Sequence, residues 1–283
     1  MAKVDLHLHT TFSDGTLTPT ELVLLCKNNG LEIISITDHD STEGIPEAIE
    51  LVNTLDKLTL ITGVELSTDI PGNEIHLLGY FVDYRDSSFQ EMLKSFRDGR
   101  RDRALKMIDK LNDMGIKISW ETVRKLAGDG AIGRPHIAQA MVEQGYVEKS
   151  KDAFDKYIGR NGPAYQERIR LTPQEAIKTL VSLGAIPVMA HPTYAMDNSS
   201  KNKINEFVKT LKEFKNIGLA GIEVYYRDYS PGQIKLLKKI ADEVGLIPCG
   251  GSDYHGNDDP DEPKPGSVGP PISTVESLLR YIN

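Results

Sequence analysis

Residues 4–9 read Val-Asp-Leu-His-Leu-His, and residues 33–40 read Ile-Ile-Ser-Ile-Thr-Asp-His-Asp. Each is a short apolar run that gives way to histidine. Runs of this length, with little polar alternation, suit strands buried on both faces. Residues two apart in a strand point to one side, so His7 and His9 aim together.

Working outward, a repeated grammar surrounds these runs. Thr18-Pro19-Thr20-Glu21 is a capping box with proline at the first helical position, and Asn29-Gly30 supplies the stop. Thr172-Pro173-Gln174-Glu175 opens a helix that ends near Gly184, before Ile186 to Ala190. Ser230-Pro231-Gly232-Gln233 opens another that ends near Gly245, before Leu246 to Cys249. The pattern predicts seven strands, at 3–8, 32–37, 59–65, 75–81, 186–190, 220–225 and 246–250. This is an α/β chain, and the buried-strand pattern predicts a parallel barrel with helices outside. The rhythm breaks between Ser87 and Gln166, where apolar residues recur at helical spacing (Met92, Leu93, Phe96, Leu105, Ile108, Leu111). Residues 1–86 and 167–283 therefore read as the barrel, and 87–166 as a helical insertion. Gly99 weakens the case for one unbroken helix there.

Composition narrows the function. Of 283 residues, 39% are hydrophobic and 26% charged, as in a soluble globular protein. No apolar run reaches the roughly 18 residues of a spanning helix. The N-terminus lacks the features of a secretion signal, and two cysteines cannot build a disulfide framework, so a cytoplasmic location is expected. A net charge of -8 argues against a broad basic surface for duplex DNA.

The histidines carry the chemistry. His7 and His9 end the first strand, Asp14 follows in a turn, and His39 follows the second strand. Glu65 ends the third strand, His76 opens the fourth, and His191 follows the fifth. Glu223 lies in the sixth, and Asp253 and His255 follow the seventh. Most stand at the C-terminal end of a strand, the face on which barrel enzymes keep their active sites. Six of seven histidines at equivalent positions of successive units point to metal rather than to independent structural roles. Imidazoles and carboxylates without thiolates suit Zn²⁺, Mn²⁺ or Fe²⁺ better than Ca²⁺. The ligands exceed the needs of one ion, so two or three are implied, a set suited to phosphoester hydrolysis.

In this order, H-x-H, Thr37-Asp38-His39-Asp40, Glu65, Ala190-His191-Pro192 and Ser252-Asp253-Tyr254-His255 resemble the motifs of the PHP (polymerase and histidinol phosphatase) family. The resemblance implies a distorted (β/α)7 barrel with a trinuclear site, Mn²⁺ being the expected ion and Fe²⁺ or Zn²⁺ the alternatives. His7, His9, Glu65 and Asp253 would hold one ion. Glu65 would bridge to a second, held also by His76 and His191, and Asp14, His39 and His255 would hold the third. The implied reaction is in-line attack by a metal-bridging hydroxide held by Glu65, His76 and His191.

The remaining histidine, His136, lies in Gly133-Arg134-Pro135-His136, and Arg97, Arg100 and Arg103 share a helical face upstream. With the insertion, this segment is similar to nucleoside-3',5'-bisphosphate phosphatases, some of which also act as 5'-to-3' exonucleases on short RNA. That implies an insertion capping the site, with Arg100, Arg103, Arg134 and His136 on the uncleaved phosphate and Arg101 a lesser candidate. The substrate expected is a small phosphorylated nucleotide, or short RNA, with no membrane or duplex-DNA partner. Other readings are a small-metabolite phosphomonoesterase such as histidinol-phosphatase and a non-catalytic metal-stabilised module. Asp40 and Tyr225 are candidates for the mouth of the site, Glu223 for orienting a ligand, and Cys26 and Cys249 read as core.

Overall fold

The computed structural model describes residues 2–70, 73–128, 130–167, 171–192, 201–256 and 262–282. Seven strands form one sheet in chain order: β1 (Val4–Leu8), β2 (Ile33–Ile36), β3 (Thr59–Ile70), β4 (Asn73–Tyr80), β5 (Ile186–Met189), β6 (Gly221–Tyr226) and β7 (Ile247–Gly251). The far edge returns to the near one just past β7. Asp253 donates its backbone N–H to the His7 carbonyl at 2.9 Å, and His9 donates to Tyr254 at 3.0 Å. The buried Asp5 carboxylate stitches the same seam, accepting from the backbone N–H of Ser252 (2.9 Å) and Gly266 (3.0 Å). Burial pushes the Asp5 carboxyl up to about 6, and these donors oppose the shift.

One strand departs from the all-parallel expectation. β4 runs antiparallel to both β3 and β5, while the other pairs are parallel. The physical reason is the connection. Only two residues separate Ile70 from Asn73, whereas a parallel crossover needs about a dozen or more. The sequence between the two apolar runs contains Pro71-Gly72, a turn dipeptide. β3 also runs past Glu65, which lies mid-strand rather than at a strand end. Reversal puts the first half of β4 beside the C-terminal halves of its neighbours, with His76 opposite Ser67 and Leu77 opposite Met189. His76 thus reaches the same end of the barrel as the other ligands, although it stands near the start of its strand.

The helices follow their caps. α1 (Pro19–Asn28) begins with the reciprocal Thr18–Glu21 box. α2 (Ile45–Val52) follows β2. In the insertion lie α3 (Ser87–Asp113), α4 (Trp120–Ala127), α5 (Arg134–Glu143), the short α6 (Ser150–Ala153) and one π-helical turn at Phe154–Ile158. α7 (Pro173–Ser182), α8 (Lys201–Lys215), α9 (Pro231–Val244) and α10 (Ile272–Ile282) complete the chain. α7 and α9 carry the expected boxes, and Gly245 closes α9 in the left-handed conformation. No helix among the described residues is long and apolar enough to cross a membrane.

α3 joins two cores. Asp86 caps it by accepting from Phe89 N–H at 2.8 Å. Phe89 and Leu93 pack into the barrel-side core with Val82, Leu77 and Ile177. One end further on, Ala104, Met107, Ile108 and Leu111 pack with Val123, Ile137 and Met141 from α4 and α5 in a core of their own. The helix is continuous through Gly99, contrary to the weakness expected there, because apolar contacts on both sides fix it. A Cβ at Gly99 would meet nothing within 4 Å. Gly99→Ala should therefore stabilise the chain by about 0.5–1 kcal/mol and raise the thermal midpoint by roughly 1–3 °C. A lower midpoint in thermal unfolding would show that glycine is required at this position.

Candidate metal centre

Nine side chains predicted as ligands converge, and Glu65 is their hub. Its Oε1 lies 2.9 Å from His76 Nδ1 and 3.0 Å from His191 Nε2. Its Oε2 lies 3.0 Å from His39 Nδ1, 3.3 Å from His9 Nε2 and 3.4 Å from His7 Nε2. Asp253 Oδ1 faces His9 Nε2 at 3.1 Å and His7 Nε2 at 3.3 Å. Asp14 faces His255 Nε2 (3.4 Å), His39 Nε2 (3.7 Å) and His9 Nδ1 (3.8 Å). Four overlapping groups have donor atoms close enough to share an ion: His9, Asp14, His39 and His255; His7, Glu65 and His191; His7, His9 and Asp253; and His39, Glu65 and His76. His39 thus faces both Asp14 and Glu65 instead of belonging to one group alone.

Several of these atoms fit a cation better than they fit each other. His7 Nε2, His9 Nε2, His39 Nδ1, Asp14 Oδ1 and Glu65 Oε2 are buried and make no well-formed hydrogen bond. Buried polar atoms are costly in that state, and a concentration of them beside one another suits a coordinated ion. Burial alone would raise the acids of Glu65, Asp14 and Asp253. The imidazoles around them (His39 and His7 for Glu65, His39 and His255 for Asp14, His7 and His255 for Asp253) hold all three well below the usual carboxylate range. Burial opposes charge on His7 and His9, yet the facing carboxylates raise both, His9 to about 10. At His39 burial wins and lowers the imidazole to about 4. The carboxylates are thus anions in want of positive charge, which divalent ions supply when bound.

Local hydrogen bonds aim the ligands. Asp38, buried, accepts from Thr10 N–H (2.7 Å), Thr10 Oγ1 (2.6 Å) and Ser13 Oγ (2.6 Å), and so shapes the loop that carries Asp14. Ser13 spends its proton on Asp38, so its oxygen is left to accept from His9 Nδ1 at 3.3 Å, with Nε2 turned to the cluster. The Asp253 carbonyl takes the Nδ1 proton of His255 at 2.9 Å, again leaving Nε2 toward the ligands. Gly15 completes the turn by close approach: a Cβ there would lie 2.6 Å from the His9 carbonyl. Asp40 and Asp253 have φ of 51° and 52°, the left-handed region that asparagine and aspartate enter at least cost among residues with a Cβ.

Tyr226 is the residue that sequence reasoning missed. Its hydroxyl donates to Asp253 Oδ2 at 2.8 Å, and its ring centroid lies 5.4 Å from that of His191. Simple alternation from Glu223 selects Tyr225 instead. A register shift between Glu223 and Tyr225 changes the phase, and the Tyr225 ring lies 5.7 Å from Lys238 of α9. Arg227 was also missed, and its Nη1 donates to the Asp253 carbonyl at 3.2 Å. Neither residue belongs to a motif or a periodic face that would single it out.

The insertion brings arginines to this centre. Arg100 and Arg103 are buried, unlike a solvated charge run. Arg100 Nε donates to Asp40 Oδ2 at 2.7 Å and its Nη2 to Ser67 Oγ at 2.8 Å, while Ser67 N–H donates to Asp40 Oδ1 at 3.2 Å. Arg97 bonds the Asp40 carbonyl and Glu43. Arg101 is exposed and pairs along its own helix with Asp98 and Asp102. Arg134 lies over the rings of Phe154 and Tyr165 at 5.6 and 5.8 Å. His136 Nδ1 accepts the Gly133 backbone N–H at 3.0 Å, which places its proton on Nε2. Burial lowers its pKa and keeps it neutral, and Asp14, Arg100 and His255 are near enough to act on it.

Known proteins resemble this chain. The family model of the PHP domain matches residues 5–163. A 5'-3' exoribonuclease of Haemophilus influenzae is 34% identical over 254 residues, covering 89% of this chain and 90% of that protein. A 3',5'-nucleoside bisphosphate phosphatase of Chromobacterium violaceum is 30% identical over 280 residues, covering 98% of this chain and 93% of that protein. The solved structure of an amidohydrolase from Chromobacterium violaceum, with bound sulfate and no metal, matches at a TM-score of 0.87 and 27% identity, covering 99% of this chain and 97% of that one. With the family model spanning more than half of the chain, and with relatives at 30–34% identity over most of its length, this chain belongs to the PHP-domain family, and its chemistry is the metal-dependent hydrolysis of phosphoesters.

Proposed function

We propose that this chain removes the 3'-phosphate of nucleoside 3',5'-bisphosphates and also accepts short 5'-phosphorylated RNA. The observation that carries the reading is the pairing of two anion-recognising sets. The nine-ligand centre stands beside buried arginines and a neutral His136 that presents an Nε2–H donor. A substrate with two phosphates uses both. In a 3',5'-bisphosphate the 5'-phosphate stays and the 3'-ester breaks. In a 5'-phosphorylated RNA the 5'-phosphate again stays, and the ester broken is the first 3'-linkage. One anchoring geometry thus serves both reactions, in keeping with the two activities named for the relatives.

In this reading His7, His9, Asp14, His39, Glu65, His76, His191, Asp253 and His255 hold two or three divalent ions, with Mn²⁺ favoured over Fe²⁺ or Zn²⁺. Bound ions would activate a water at neutral pH and offset charge on the scissile phosphoryl group. The chain's other residues bind and orient. Arg100, Arg103, Arg134 and His136 hold the uncleaved phosphate, arginine offering a planar fork to its oxygens. Asp40 and Ser67 fix the Arg100 guanidinium before substrate arrives, and Tyr226 fixes the Asp253 carboxylate. The insertion, residues 87–166, covers the reacting centre and limits water there. Cys26 and Cys249 are free and buried.

Phosphate release with Mn²⁺ should be fastest on 3'-phospho-5'-AMP, detectable on a short 5'-phosphorylated RNA, and slow on 5'-AMP and histidinol phosphate. Turnover of histidinol phosphate alone would contradict the assignment. Arg134→Ala removes a charged contact worth about 1.5–3 kcal/mol, so KM for the bisphosphate should rise roughly 10- to 100-fold with kcat little changed. Unchanged bisphosphate kinetics would remove the anchoring role. His39→Ala, measured in the same assay, should abolish kcat, and a variant keeping more than a tenth of the rate would exclude His39 from the reacting centre.

A further inference from the structure

Glu223 is fully buried in β6, and its oxygens are bonded not to the shared ligand space but to two of the ligands. Oε1 lies 3.0 Å from His7 Nδ1, and Oε2 accepts the His191 backbone N–H at 2.7 Å. A carboxylate oxygen accepts, so a His7 that gives Nε2 to an ion keeps its one proton on Nδ1, facing Glu223. His7 Nε2 is then the bare nitrogen. It makes no hydrogen bond and faces Asp253 Oδ1 at 3.3 Å and Glu65 Oε2 at 3.4 Å. The backbone makes room for this reach: a Cβ at Gly251 of β7 would lie 2.5 Å from His7 Cβ and 2.7 Å from Asp5 Oδ1.

We propose that Glu223 is a positioning residue that sets the tautomer of His7 and the backbone at His191, so that one side chain prepares two ligands of the centre. The proposal rests on the reading that His7 and His191 hold metal. It requires a carboxylate, because both partners donate. An amide at this position has one acceptor and one donor group. With its oxygen on the His191 N–H, its NH₂ faces His7 Nδ1, drives the proton to Nε2 and blocks the ligand atom. With the amide turned over, NH₂ opposes the His191 N–H. Either way one of the two ligands loses its setting.

Zn²⁺ alone is the probe, since it is diamagnetic and binds the same donor types. Imidazole ¹⁵N spectra of the Zn²⁺-loaded wild type, assigned by comparison with His7→Ala, should show His7 protonated at Nδ1. Competition with a chelator should show Glu223→Gln binding Zn²⁺ about 10- to 100-fold more weakly, the range found for partners of metal-bound histidine. Glu223→Asp, which keeps two acceptors, should recover part of that loss, whereas a role in packing alone would not follow carboxylate chemistry. Protonation of His7 at Nε2 in the loaded wild type would overturn the proposal, whether or not the variants fold. So would a Glu223→Gln protein that folds and binds Zn²⁺ at wild-type affinity. Failure of the wild type itself to bind Zn²⁺ would remove the metal reading, and the role of Glu223 would fall with it, a result distinct from loading that ignores Glu223.

Discussion

Glu65 is a buried carboxylate with histidine on every side, and the rest of the site is arranged around that fact. Its two oxygens divide five imidazoles between them, with His76 and His191 on one and His7, His9 and His39 on the other. An anion taken out of water at this depth needs positive charge close by. Imidazoles alone meet that need only by carrying protons against the cost of their own burial, a cost that His39 does not overcome. Divalent ions meet it without protons. The barrel supplies what such an arrangement demands, since strands from all around the sheet deliver one or two side chains each to the same end.

Much of this was legible in the sequence because strand ends are short and local. His7 and His9 share a face by simple alternation, and Asp253 and His255 follow their strand directly, so their convergence needs only the barrel. The capping boxes at Thr18, Thr172 and Ser230 fixed three helix starts in advance, since each is a contact between residues three apart. The reversed β4 was not legible, because direction is set by the two residues joining it to β3 and not by its apolar pattern. Tyr226 was hidden by a register shift that alternation does not foresee. Asp38 and Glu223 lie buried behind the ligands, and nothing in their spacing says that Asp38 holds Thr10 and Ser13 while Glu223 faces His7 and His191.

The insertion is joined to the barrel through α3. Its own core lets it hold a shape, and α3 carries that shape down to the barrel, where Arg97 and Arg100 dock on the loop containing Asp40. The Arg100–Asp40–Ser67 cluster therefore does two jobs: it fastens the insertion beside His39 and keeps a guanidinium oriented. Burying this charge is costly unless it is paired, and Arg100 is paired with Asp40 and Ser67, the Asp40 carboxylate itself accepting from the Ser67 backbone N–H of β3. Under the proposed function, recognition of a second phosphate and attachment of the insertion would depend on the same residues, Arg100 among them.

Ions bound at Glu65 would join the ligand groups into one reacting centre. An anomalous difference map from Mn²⁺-loaded crystals tests it directly. At least two peaks are expected, each roughly 2.0–2.3 Å from a Glu65 oxygen or from the facing histidine nitrogens, with Glu65 between them. A map with no peak within coordination distance of Glu65, from protein that is active with Mn²⁺, would contradict it.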